Sequence, residues 1–178
     1  MLDCVSCTFI LCVHVIDFID FFRVPDERAK SGKRWVSLLG GMGMVTATVS
    51  MLSRPTHDWS WYTPPLALFA YALWLFWRSY LINRTRPLSF AFANEQPHHL
   101  MRVGPYQKIR HPFYASYIAG WIASFLAGPN IATALVMVCM TSLYYRAARK
   151  EETAFLSSPL QQQYREYQAR GSMFLPLR

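Results

Sequence analysis

At 178 residues the chain has room for one domain of ordinary size, yet 53% of it is apolar and 16% aromatic, too rich for a soluble basic protein of this size. The apolar residues fall in runs long enough to cross a hydrocarbon core, which takes about 20 residues per helix. The formal charge of +8 then follows from topology and attraction to anionic lipid heads, and no nucleic-acid partner is required.

Five crossings are predicted: Cys4–Phe22, Val36–Ser53, Tyr62–Ile82, Phe113–Ala127 and Ile131–Tyr145. The expected fold class is an all-α integral membrane protein of about five transmembrane helices, with a cytosolic, folded-back C-terminal helix. Residues 1–82 would form an N-terminal three-helix membrane region, and residues 83–178 a catalytic region of loop, transmembrane hairpin and tail. The first run begins Met1-Leu2-Asp3, without a basic n-region, and no small-residue cleavage site precedes Arg23, so it reads as a retained helix. His14 and Asp17 share one face of it, three residues apart. They are read as facing the protein interior, in a structural role rather than a catalytic one. Cys4-x2-Cys7 has no matching second pair, and Cys4, Cys7, Cys12 and Cys139 are read as small apolar residues. No metal and no disulfide are expected.

The second run carries Gly40, Gly41 and Gly43. Gly43-x3-Ala47 is a small-x3-small pair that points to close helix packing in lipid. A phosphate-cradling loop would have to be an exposed turn between a strand and a helix, whereas this run lies within a span.

Charge orders the five crossings. Arg23–Arg34 holds five Lys/Arg, Arg78–Pro112 six and the segment from Arg146 onward six; Arg54 is the one left over. Seventeen of eighteen basic residues thus share one face, as the positive-inside rule requires. The N-terminus should be outside or lumenal and the tail cytosolic. Trp59, Trp61 and Tyr62 then belong to the far aromatic belt and Trp35 to the near one. The expected location is a multi-pass membrane protein, in the endoplasmic reticulum of a eukaryote or the inner membrane of a bacterium, with its active site on the cytosolic face.

The connection Asn83–Arg110 is the longest, with Pro87, Pro97, Pro105 and the pair His98-His99, and loops of this length tend to be functional. Gly128-Pro129-Asn130 makes a tight hairpin of the fourth and fifth spans. Pro112 suits the first position of a helix, whose free backbone donors favour an anion. Arg110 and His111 add donors and Tyr114 lies one turn in, although Arg110 and His111 also suit plain interfacial anchoring. Past the fifth span come Arg146, Arg149, Lys150, Glu151 and Glu152. Arg149 and Glu152 can pair on one face, and the acidic pair meets the needs of a cationic or amine-bearing ligand. Donors at one foot of the hairpin and carboxylates at the other fit a zwitterionic cofactor between them. The tail is predicted helical across Pro159–Arg170, with Tyr164, Tyr167 and Phe174-Leu175-Pro176 folding back onto the spans.

The run His98-His99-Leu100-Met101-Arg102-Val103-Gly104-Pro105-Tyr106, then Arg110-His111-Pro112-Phe113-Tyr114, Arg146…Glu151-Glu152 and Tyr164-x2-Tyr167…Leu175-Pro176, resembles the isoprenylcysteine carboxyl methyltransferase family and its relatives, the phospholipid N-methyltransferases. The likeness covers roughly Asn94 to Pro176. It implies S-adenosylmethionine in a cytosol-facing pocket formed by the last two spans, the preceding loop and the tail, with a lipidic acceptor entering from the bilayer. By position, His98, His99, Leu100, Met101 and Tyr106 would line the pocket. His111, Pro112, Phe113 and Tyr114 would hold the methionine part, and Glu151 would complete the site. Arg146 would meet the substrate's carboxylate, making Arg146 and Glu151 the residues expected to carry catalysis.

The implied activity is O-methylation of a lipidic carboxylate such as a C-terminal prenylcysteine. N- or O-methylation of a phospholipid head or a small lipophilic metabolite is the alternative. Membrane sterol reductases share a similar hairpin but show H-P-N-Y, and Phe113 at the Asn position counts against nicotinamide binding. A scaffold without activity would leave the charge at both hairpin feet unexplained. The chain departs from the family at Ser116, where many members have Gly, and around Ser157-Ser158-Pro159.

Overall fold

The computed structural model describes residues 38–43, 45–50, 53, 59–83 and 99–176. The predicted first span with His14, Asp17 and its three cysteines, the Arg23–Arg34 connection, Trp35 and His98 lie outside the described residues. Five helices follow in order: α1 (Leu38–Ser50), α2 (Thr63–Asn83), α3 (Pro112–Ala127), α4 (Ile131–Leu156) and α5 (Gln161–Arg170), with 3-10 turns at Trp59–Tyr62 and Gly104–Gln107. No strand occurs among the described residues; a single parallel bridge joins Ile109 to Ser172.

Among the described residues, two helical stretches are long and apolar enough to cross a membrane: Ser60–Asn83, 24 residues, and Ile131–Leu156, 26 residues. They match the third and fifth predicted crossings. The fourth is a helix of 16 residues, about 24 Å long at 1.5 Å per residue, and is shorter than a full span. In the second, the helical stretch is Leu38–Ser50. The predicted tail helix is present two residues later than expected, at Gln161–Arg170.

Composition explains why α3 is central. Ala115-Ser116, Ala119-Gly120, Ala123-Ser124 and Ala127 recur every four residues and are all buried, and such small side chains let neighbouring helices approach closely. Phe69, Ala72 and Phe76 of α2 meet Phe113, Tyr117, Ala119 and Ala123 of α3 in the main core. Ser116 is buried, its hydroxyl donating to the Phe113 carbonyl at 2.7 Å. Large apolar side chains face outward on α2 (Tyr71, Trp74, Trp77, Leu81) and α4 (Ile131, Leu135, Val138, Tyr145). Such exposed apolar helix faces suit lipid, not water.

The α3–α4 hairpin closes as its sequence predicts. Asn130 caps α4, its side chain accepting from the Thr133 amide at 3.0 Å while the Thr133 hydroxyl accepts from the Asn130 amide at 3.1 Å, a reciprocal arrangement of the capping-box kind. α1 crosses this hairpin at Gly43, where an added Cβ would lie 2.6 Å from Val136 Cγ1 and 2.8 Å from Trp121 Cη2. The small pair Gly43 and Ala47 therefore packs as read from sequence. Gly43→Val should destabilise the protein by about 1–3 kcal/mol through overpacking. Gly41→Val, where nothing lies within 4 Å, should change stability far less. Parallel melts of both variants in detergent check the contrast, and equal losses would contradict it.

Candidate active site

Two backbone devices bring the segment after α2 together with α3, α4 and the tail. The first is Gly104, at φ 59, a left-handed conformation that glycine adopts without strain; an added Cβ there would also collide with Ile82 Cδ1. This turn places Tyr106 beneath the end of α2, where its hydroxyl accepts from Asn83 Nδ2 at 2.9 Å. The second is the tail after α5, which runs alongside Lys108–His111. The Arg110 amide donates to Ser172 O at 2.8 Å, the Ser172 amide to Lys108 O at 3.0 Å and the His111 amide to Met173 O at 3.1 Å. The Tyr167 hydroxyl donates to the Tyr106 carbonyl, and the Arg102 guanidinium donates to the Gln163 carbonyl. Ser158, in the stretch that departs from the family pattern, makes the turn between α4 and α5, accepting from the Leu160 amide at 3.1 Å.

These contacts set the N-terminus of α3 against the charged end of α4, past the apolar stretch that closes at Tyr145. Glu152 is buried and accepts from Arg110 Nε and Nη2, both at 2.9 Å, and from His111 Nε2 at 3.3 Å. Gln168 Nε2 of α5 donates to its other oxygen at 3.2 Å, and Arg149 lies 3.7 Å away. Arg110 also donates to the Gly171 carbonyl. Glu151 takes the other side of the imidazole, 3.2 Å from His111 Nδ1, and accepts from the Tyr114 hydroxyl at 2.6 Å. His111, Tyr114 and Tyr144 stack in sequence at 5.8 and 5.7 Å, and Tyr117 packs on Tyr144 at 5.2 Å.

An imidazole facing a carboxylate with each nitrogen donates from both only as the imidazolium. Burial alone would lower the His111 pKa, but hydrogen bonds to Glu151 and Glu152 outweigh it and raise it above 6.5. Burial likewise pushes the Glu152 carboxyl up, and the bonds from His111 and Arg110 reverse that, holding it down at about 2. The two carboxylates differ in access: the Glu152 side chain is 3% exposed and that of Glu151 30%. Glu152 is locked into the scaffold, while Glu151 is the accessible acid.

His111 and Tyr114, expected at the cofactor's methionine end, and Glu151, expected to complete the site, are thus in direct contact. Pro112 starts α3, whereas the Phe113 ring packs edge-on against Phe76 at 5.5 Å, inside the α2–α3 core. His99, Leu100 and Met101 are half-buried, and His99 Nε2 is buried with no hydrogen-bond partner. Tyr106 is buried and bound to Asn83. Arg146 is exposed, on the face of α4 away from Tyr144, Ala148 and Glu152. The Arg149–Glu152 pairing is present, with Arg149 itself exposed.

Sequence reasoning passed over Glu152 as a site residue, along with Gln168, Asn83 and Tyr144. A signal for Glu152 existed, since Met140, Tyr144, Ala148 and Glu152 recur every four residues and so share one helix face. Nothing in the local sequence marks Asn83.

The described residues hold no group of three or more His, Cys, Asp or Glu able to bind a metal ion. A family model described as phospholipid methyltransferase matches residues 61–163, more than half of the chain. Comparisons with curated proteins and with solved structures found no match.

Proposed function

Because the chain belongs to the phospholipid methyltransferase family and is therefore a membrane-associated methyltransferase, we propose that it is a multi-pass enzyme using S-adenosylmethionine to methylate a lipidic acceptor at the cytosolic face. The observation that carries this reading is the exchangeable set His111–Glu151–Tyr114. His111 and Tyr114 offer donors for a carboxylate, and the accessible Glu151 offers a carboxylate for an ammonium group. A zwitterion entering between them replaces one charge-assisted pairing with two and leaves no charge unmatched. The unpartnered, buried His99 Nε2 adds a further polar group available to a ligand. Tyr114 and Tyr144 beside Glu151 also suit a positively charged sulfonium.

S-adenosylmethionine supplies an already activated methyl group, so the protein's task is alignment and exclusion of water. Glu152, Arg110 and Gln168 hold His111 in place. The tail packs on His111 through Met173, whose carbonyl accepts from the His111 amide, and Phe174, whose ring lies 6.3 Å from the imidazole.

For the acceptor, we propose a lipidic carboxylate such as a prenylcysteine, with Arg146 as the group it meets on arriving from the bilayer. A carboxylate is ionised at neutral pH and needs no general base. An amine on a phospholipid head is the second reading, favoured by the position of Arg146 on the exposed face, apart from the Glu151 cluster. One set of titrations tests both levels. The solubilised protein should bind S-adenosylmethionine and not NADPH; the reverse would overturn the methyltransferase reading. Glu151→Gln should weaken cofactor binding by about 1.5–3 kcal/mol. Arg146→Lys, which keeps the charge but loses the planar fork, should raise the substrate KM or lower kcat with cofactor affinity intact. Untouched substrate kinetics in Arg146→Lys would move the amine reading ahead.

A further inference from the structure

Asn83 ends α2 fully buried, an unusual place for a carboxamide unless its hydrogen-bonding capacity is used. Its Nδ2 donates to Ser79 O at 2.7 Å and to the Tyr106 hydroxyl at 2.9 Å. The Ser79 carbonyl fixes the orientation of the amide, because the flipped form would set two acceptors against each other. Both donors of Asn83 are thereby engaged, and Oδ1 is left buried with no partner. The Tyr106 hydroxyl, used as an acceptor by Asn83, keeps its own proton to donate. The pair thus presents one buried acceptor and one buried donor, both neutral, beside each other. The Tyr106 carbonyl accepts from Tyr167 of α5, the residue beside the Gln168 that binds Glu152, so this edge is tied by the same helix to the His111–Glu151–Tyr114 set.

Charge matching divides the cofactor between the two places. Its charged methionine end suits His111 and Glu151, and its neutral base suits a neutral donor–acceptor edge. Asparagine reads adenine by accepting from the exocyclic amine and donating to a ring nitrogen. Here the donor half has passed to Tyr106, because Nδ2 is committed. We propose that Asn83 and Tyr106 together form the adenine-selecting edge of the site, Asn83 Oδ1 accepting from the exocyclic amine and the Tyr106 hydroxyl donating to the adjacent ring nitrogen N1, which carries a hydrogen in the inosyl compound and cannot accept. Asn83 has the further job of fixing the direction of the Tyr106 proton. This assignment rests on the reading that S-adenosylmethionine is the cofactor.

The test compares S-adenosylhomocysteine with S-inosylhomocysteine, in which an oxygen replaces the exocyclic amine, by calorimetry on the full chain in detergent. The unaltered protein should bind the adenosyl compound at least about tenfold more tightly, as expected when a buried acceptor loses its donor. Asn83→Ala should reduce that preference to within about threefold. Glu151→Gln should weaken both compounds alike and leave their ratio unchanged. Tyr106→Phe, which leaves the carboxamide in place, should also shrink the ratio, and it decides the matter if Asn83→Ala does not fold. Failure of the unaltered protein to bind either compound would overturn the cofactor reading and this one with it. Equal binding of both, or a full preference surviving in Asn83→Ala or in Tyr106→Phe, would overturn the adenine assignment alone.

Discussion

Replacing Glu152 by alanine should lower the stability of the solubilised protein by about 3–5 kcal/mol, the loss typical of removing one partner from a buried ion pair. The carboxylate is the shared acceptor for Arg110, His111 and Gln168, which come from the loop, the start of α3 and α5. Without it, a guanidinium with a 12%-exposed side chain and an imidazolium with a 7%-exposed one lose their common counter-charge. Glu152→Gln keeps the shape and one acceptor and should lose less. For a chain of this length the alanine variant should melt at least about 6 °C lower, followed by circular dichroism in detergent. A loss under about 1 kcal/mol would show that the cluster is not what ties the tail to the hairpin.

The second large effect is a pH dependence with a defined sign. The folded pKa of His111 is raised above 6.5, so its stabilising contribution is fully present below 6.5 and disappears as pH rises through the folded value. Glu152 works the other way. Its carboxyl is held down from 4.5 to about 2, so its contribution is present above 4.5 and is lost as pH falls toward 2. Stability should therefore form a plateau from about pH 4.5 to 6.5 and decline on both sides. On the alkaline limb the imidazolium gives up one of its two N–H donors, and with it one hydrogen bond to a carboxylate, worth about 1.5–3 kcal/mol, while the neutral ring keeps the other. His111→Gln should be less stable on the plateau and lack that limb. An alkaline limb persisting in this variant would assign the titration to another group.

Much of this architecture could be read along the chain because it depends on local pattern. The Gly128-Pro129-Asn130 turn, Pro112 at the start of α3, the apolar lengths of α2 and α4 and the polar helix of the tail each follow from residues close in sequence. Gly43 also announced its role, since a small residue repeated after four positions marks a helix contact whatever the partner. Arg110, His111, Tyr114 and Glu151 stood out because charged and hydrogen-bonding groups at the feet of an apolar hairpin need partners.

Tertiary structure decided which groups those partners are. Glu151 and Glu152 are neighbours in sequence and chemically alike, but one helical step of 100° turns Glu152 inward to Arg110 and Gln168 and leaves Glu151 partly open. The same rotation puts Arg146 on the outer face of α4, although it lies only five residues before Glu151. Phe113, inside the Arg110–Tyr114 run, spends its ring on Phe76 because α2 lies against that side of α3. Asn83 looked like the first residue of a loop; it acquires a role because Gly104 returns the chain beneath α2 and brings Tyr106 within 2.9 Å of it. The sequence by itself determined the apolar helices, their turns and the identity of the charged groups between them. The pairing of those groups came from helix rotation and chain return, which act across separations of 16 to 61 residues and leave no mark in local spacing.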